Sequence, residues 1–115
     1  MEAKATAKYV KGSPQKARLV IDLIRGKNAE EALGILKFSR RRAARPIQKV
    51  LLSAIANAEQ KSSTVTMEDL VISEAQVNIG PTKSRFRMRP APMGRAFRER
   101  RHQSHITIRV SDNNE

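Results

Sequence analysis

Lys83-Ser-Arg-Phe-Arg-Met-Arg-Pro-Ala-Pro-Met-Gly-Arg-Ala-Phe-Arg-Glu-Arg-Arg101 is the stretch whose reading decides the fold. It holds eight basic residues, Lys83, Arg85, Arg87, Arg89, Arg95, Arg98, Arg100 and Arg101, against one acid, Glu99. Arg85, Arg87 and Arg89 alternate with Phe86 and Met88, which is the period of a strand. Pro90-Ala91-Pro92-Met93-Gly94 has the composition of a turn. Strand-like segments bound the stretch on both sides. Before it, Val71, Ala75, Val77 and Ile79 share one face of Val71–Ile79, with Glu74, Gln76 and Asn78 on the other. After it, Ile106, Ile108 and Val110 alternate with Thr107, Arg109 and Ser111. Antiparallel pairing of these flanks makes Gly80–His105 a long β-hairpin. Eleven residues each way project roughly 35 Å at ~3.3 Å per residue.

Such a ribbon has almost no apolar face, and a lone two-stranded hairpin is marginal in water. The competing reading is a disordered basic linker. A segment clamped between two strands is instead expected to order when phosphates neutralise it. Seven Arg to one Lys suits bidentate phosphate contact better than mere solubility.

Working back toward the N-terminus, residues 3–10 alternate small or apolar positions (3, 5, 7, 9) with Lys4, Thr6 and Lys8, a strand with a wetted basic face. Ser13 caps a helix that starts at Pro14, buries Ala17, Val20, Ile21 and Ile24, and closes at Gly26. Asn28 caps a second helix, where Glu30 and Glu31 suit the positive helix end and Ala29, Ala32, Leu33 and Leu36 form the buried stripe. Ser39 is expected to cap a third, beginning at Arg40-Arg41-Arg42. Its stripe is Ile47, Val50, Leu51, Ala54, Ile55 and Ala58, and Pro46 is expected to kink or restart it. Thr66-Met67-Glu68-Asp69 reads as a single turn with its own cap. The fold class is therefore α+β: three helices on one face of a small three-stranded antiparallel sheet, with a long protruding β-hairpin, all in a single domain over residues 1–115.

Twenty-three Lys and Arg against eleven Asp and Glu leave a net charge of +12. Self-repulsion of that size implies a polyanionic partner, of which nucleic acid is the commonest. A membrane surface is disfavoured, because no helix carries Trp or Phe opposite Lys and Arg, and no apolar stretch is long enough to span. The start of the chain lacks the apolar core of a signal peptide, so a cytosolic location is the default. The absence of cysteine excludes disulfides and thiolate zinc sites. His102 and His105 stand three apart, but no sulfur or carboxylate cluster accompanies them, so no metal or other cofactor is expected. Glu30-Glu31 and Glu68-Asp69 sit at helix starts, which explains them without acid–base chemistry. No phosphate loop or nucleophile elbow is present, and catalysis has no candidate residue. The aromatics are few: Tyr9, Phe38, Phe86 and Phe97. Base-stacking platforms are thus expected to be lacking, and phosphate contact and shape fitting to structured RNA or duplex is the expected mode. Arg40-Arg41-Arg42 with Arg45 is either a solvated helix end or a phosphate contact, and the charge excess favours contact.

Several blocks, in order, resemble the bacterial-type L-twenty-two family of large-subunit ribosomal proteins over nearly the whole chain. They are Tyr9–Val20 (Tyr-Val-Lys-Gly-Ser-Pro-Gln-Lys-Ala-Arg-Leu-Val), Asp22–Lys27, Glu31–Leu36, Ser53–Glu59, Gly80-Pro81-Thr82, Gly94-Arg95-Ala96 and Ser104–Thr107. The resemblance implies a compact domain near the exit of the peptide tunnel and a hairpin running inward through ribosomal RNA. It implies a role in holding RNA domains together during assembly, with neighbouring large-subunit proteins at the tunnel wall and exit as further partners. No homo-oligomer is expected. Ser13, Lys16 and Arg18 fall in a block that faces RNA in that family. With Lys8, Lys11, Arg25, Lys27, the arm cations Lys83, Arg85, Arg87, Arg89, Arg95, Arg98, Arg100 and Arg101, and His102, they form the expected RNA contacts. The tunnel-lining tip maps onto Arg87, Met88, Arg89, Pro90, Ala91, Pro92, Met93 and Gly94. Between Gly80-Pro81 and Gly94-Arg95 the stretch is slightly longer than the family pattern, with an additional Pro and Met near the tip. A second reading, an architectural DNA-binding protein with a basic β-ribbon, would use Pro90, Pro92 and Met93 as wedges.

Overall fold

The computed structural model describes residues 1–62, 66–79, 86–90, 96–100 and 103–112, with backbone alone for 86–90 and 96–100. Three ten-residue strands, β1 (Glu2–Lys11), β2 (Leu70–Ile79) and β5 (Gln103–Asp112), form an antiparallel sheet in the order β1-β5-β2. The central strand buries Ile106, Ile108 and Val110. Its neighbours bring small residues into line with them: Ala5 and Ala75 flank Ile108, and Ala7 and Val77 flank Ile106. Helix α3 (Ala44–Lys61) lies on β1 and β5, and α1 (Pro14–Ile24) lies on β2. Alanines on β1 let α3 approach closely, and its own Ala54 and Ala58 are buried in return. Helix α2 (Ala29–Phe38) closes the layer against α3 and α1 through Ala29, Ala32 and Leu36, while Leu33 is only partly buried. The helical stripes read from the sequence are thus the core.

Local chemistry sets the helix ends, though not always as the sequence suggests. Pro14 takes the first position of α1, and Gly26, at φ +73, turns the chain away after it. Ser13 stands at the N-cap, yet its hydroxyl makes no capping bond. Its carbonyl instead accepts from the Ala17 N–H at 3.1 Å. Asn28 does cap α2, its Oδ1 accepting from the Glu30 N–H at 2.9 Å. Ser39 does not start α3. It ends α2, and its Oγ accepts from the Arg41 N–H at 3.3 Å. Arg40-Arg41-Arg42 therefore form the connection between helices, and α3 begins at Ala44. That start also removes the expected kink at Pro46. In the first helical turn its missing N–H has no intrahelical acceptor to lose. The Thr66 turn is present as a 3-10 turn, Met67–Asp69, with the Thr66 Oγ1 donating to Asp69 Oδ2 at 3.1 Å.

Two bulges shift the strand faces. In β1 the register slips between Ala7 and Val10. Val10 packs against the core, whereas Tyr9, at φ +60, is 58% exposed and not on the inward face assigned to it by simple alternation. A left-handed backbone costs a bulky L residue about 1–2 kcal/mol. In β2 the slip lies between Ile72 and Glu74, so Leu70 and Ile72 point inward in place of Val71. Ile79 is exposed, at the strand end beyond the helices.

The arm is a hairpin: β3 (Phe86–Pro90) and β4 (Ala96–Arg100) pair antiparallel as a separate two-stranded sheet, with Phe86 opposite Arg100 and Pro90 opposite Ala96. The molecule measures 65 × 25 × 17 Å, with a radius of gyration of 17.3 Å. A compact domain of this length would have about 13 Å. The difference is what a projecting ribbon produces.

Ile108 is fully buried at the centre of the sheet. Ile108→Ala is expected to lower the unfolding free energy by about 3 kcal/mol in urea titration, and a loss under 1 kcal/mol would contradict its central place. Replacing residues 83–101 by a short turn is expected to leave the circular dichroism of the helices intact, because the core of the described residues already joins all three helices to the three-stranded sheet. Global unfolding of that deletion would show that the arm supports the core.

Candidate nucleic-acid interface

The end of β1, the start of α1 and the start of α3 converge on one cleft of about 410 Å³. Lys11, Ser13, Lys16, Arg42, Pro46 and Ser104 are among its lining residues. Gly12, at φ +124, makes the sharp turn that carries the chain from strand to helix. Lys11, Lys16 and Arg42 are all exposed. Two helix N-termini point into the same region, each equivalent to about half a positive charge.

The contrast between helices is informative. Helix α2 compensates its positive end with Glu30, Glu31 and the Asn28 cap. Helices α1 and α3 have no acid in their first turns and no side-chain cap. Two uncompensated helix starts beside three cations form a ready site for phosphate oxygens. Ser104, buried behind them, donates from Oγ to the Gly12 carbonyl at 3.4 Å and secures the turn.

The other cations divide into two groups. Lys8, Lys11, Lys16, Arg40 and Arg41 enter no ion pair among the described residues and stand free for a partner. Arg18 and Arg25 are engaged within the fold. Arg18 donates from Nε and Nη2 to the Val77 carbonyl at 3.2 and 3.1 Å. Arg25 donates from Nε to the Ala75 carbonyl at 3.1 Å and from Nη1 to Asp22 at 2.8 Å. Helix α1 and the residue that follows it thus cover alternate carbonyls along the outer edge of β2. The backbone of Gly26 and Lys27 continues the cover by bonding both polar groups of Ile72. On the opposite edge, Asn57 and Lys61 of α3 donate to the carbonyls of Lys4 and Glu2 at 3.0 and 2.8 Å. Lys27 itself lies 3.8 Å from Glu31.

On the arm, Arg87 and Arg89 lie on β3, as do Met88 and Pro90 of the expected tip, while Arg98 and Arg100 lie on β4. The register sets Arg87 opposite Glu99, and Arg98 and Arg100 opposite Met88 and Phe86. Arginine positions therefore occupy both faces of the ribbon. Lys83, Arg85, Ala91, Pro92, Met93, Gly94, Arg95, Arg101 and His102 lie outside the described residues. The Nδ1 of His105 accepts from the Tyr9 N–H at 3.1 Å, and no cluster of three or more metal-ligating side chains occurs among the described residues.

The family model described as Ribosomal protein L22p/L17e matches residues 5–111. The chain belongs to this family. The protein named large ribosomal subunit protein uL22 in Halothermothrix orenii is 56% identical over 115 residues, covering 100% of this chain and 99% of its own. Its namesake in Staphylococcus aureus is 51% identical over 115 residues, covering 100% and 96%. That of Solibacter usitatus is 50% identical over 112 residues, covering 97% of each chain. The L22p/L17e proteins are structural components of a ribonucleoprotein, the ribosome, rather than an enzyme family, and translation is the process they serve. What the family blocks could not reveal was the convergence of Arg42 with Lys11 and Lys16. The legible signal for it was negative: two helix starts without acids.

The division of cations is open to test. Arg18→Ala is expected to lower the unfolding free energy by about 1 kcal/mol through loss of the Val77 contacts. Lys16→Ala, with no partner in the fold, is expected to stay within about 0.5 kcal/mol of the parent protein. Equal losses in denaturant titration would contradict the division.

Proposed function

We propose that the chain is a structural constituent of the large ribosomal subunit that binds large-subunit ribosomal RNA and supports its assembly. In this reading it works in the cytoplasm, within the ribosome. Its globular part holds RNA phosphates with the cleft of Lys11, Lys16 and Arg42, and its arm passes between RNA segments with the tip lining the exit tunnel beside other large-subunit proteins. The observation that carries the reading is the pairing of two uncompensated helix starts and unpaired cations at one site with a two-stranded ribbon, Phe86–Pro90 and Ala96–Arg100, inside a stretch of sequence that holds eight cations. Family membership agrees with it. Arginine positions on both faces of the ribbon suit an arm surrounded by phosphate better than one lying on a single surface. Lys8, Ser13, Arg18, Arg25 and Lys27 are further RNA contacts in this reading, with Arg18 and Arg25 acting also as struts for β2. No helix among the described residues is long and apolar enough to cross a membrane. Nothing in the fold or the family favours the architectural DNA-binding reading.

The test is binding to large-subunit ribosomal RNA as a function of salt. Neutralising roughly six phosphates gives a slope of about −5 in log K against log salt, a loss of about 10³-fold between low and moderate salt. Lys11→Ala, Lys16→Ala and Arg42→Ala together are expected to reduce that slope by about 2 to 3. Equal affinity for unrelated duplex DNA would overturn the assignment to ribosomal RNA.

A further inference from the structure

The helix-free face of the sheet carries a second surface, distinct from the cleft. Because Ile106, Ile108 and Val110 point into the core, His105, Thr107 and Arg109 point away from it. Cross-strand register arranges this face in rows. In the first of three successive rows toward the arm, Arg109 lies 3.8 Å from Glu2 and 3.5 Å from Glu74, so its charge is met within the sheet. In the middle row the hydroxyls of Thr6 and Thr107 bond each other at 3.2 Å. The third row differs. It holds Tyr9, His105 and Asn78, at the end of the sheet where β2 gives way to the arm and β5 returns from it.

Tyr9 is held outward at a cost. It is the one non-glycine residue with positive φ among the described residues, and more than half of its surface is exposed. Two contacts fix it there. Its N–H donates to His105 Nδ1 at 3.1 Å, and its ring meets the His105 ring edge-to-face, with centroids 5.1 Å apart. Across the next strand from His105, Asn78 is exposed and its amide has no hydrogen-bond partner among the described residues. Lys8, next to Tyr9 in sequence, is exposed and unpaired among the described residues. A fixed aromatic ring, a free amide carrying both a donor and an acceptor, and an adjacent cation are the parts that recognise one splayed-out nucleotide. The ring offers a stacking face, the amide can read a base edge, and the lysine can reach a neighbouring phosphate.

We propose that Tyr9, His105 and Asn78 form a binding platform for an unpaired RNA base at the root of the arm. The proposal rests on the ribosomal RNA reading above and adds to it a contact by stacking, where sequence composition pointed to phosphate contact alone. Tyr9 is the stacking residue, and His105 positions it.

The experiment uses the full chain bound to large-subunit ribosomal RNA. Tyr9→Asn removes the ring, while Asn tolerates the left-handed backbone, so the fold should survive and circular dichroism checks that it does. The expected result is binding roughly tenfold weaker for Tyr9→Asn, with the salt slope unchanged because no phosphate contact is lost. Tyr9→Phe keeps the stacking face and should bind within about twofold of the parent. Short-wave ultraviolet irradiation of the parent complex, followed by mass spectrometry, should find a nucleotide adduct on the peptide that contains Tyr9. Parent-like affinity in Tyr9→Asn, or an adduct absent from that peptide, overturns the platform and leaves the phosphate cleft standing. If the parent protein shows no preference for this RNA over unrelated duplex, the broader reading fails, and the platform fails with it.

Discussion

The pairing of β2 with β5 is the constraint on which the rest of the structure depends. The two strands are separated in sequence by the whole arm, so their register decides where the ribbon leaves the domain and in which direction it runs. The same central strand also pairs with β1. Its inward isoleucines and valine therefore receive the helices, and its outward residues bind the two edge strands into one surface. Loss of that register by a single residue would exchange the two faces, exposing Ile106 and Ile108 and burying Arg109. The ionic row around Arg109 and the aliphatic row beneath it make that slip costly from both sides.

Much of this was legible in the residue pattern, and the failures have specific physical causes. Ala17, Val20, Ile21 and Ile24 repeat with helical spacing because each must reach the same sheet, so periodicity located α1 correctly. Val110, Ile108 and Ile106 did the same for β5. The start of α3 was misplaced because Ser39 is a good cap by composition, yet its hydroxyl had a nearer use in the turn after α2. Once the helix begins at Ala44, Pro46 is an ordinary first-turn residue. Tyr9 was misplaced for another reason. Its direction follows from a bulge against β5, a long-range contact that no local alternation can report.

The candidate site was legible in charge and obscure in geometry. Composition shows that cations exceed acids, but not which of them the fold consumes. Arg18 and Arg25 look like any exposed helical arginines, and only the proximity of the β2 carbonyls shows that they have internal work. Lys11, Lys16 and Arg42 come from three separate stretches of chain, and nothing in their spacing joins them before β1, α1 and α3 meet. The positive surface of this protein is thus a remainder: what is left after the edges of the sheet have taken their share.

That sharing has a consequence at the edges themselves. An open sheet with two bare edges invites a second copy to add a strand. Here Arg18 and Arg25 stand against one edge, and Asn57 and Lys61 against the other. Any incoming strand would have to displace charged or amide donors from the carbonyls it needs. The net charge of +12 adds a repulsion between copies to that obstruction.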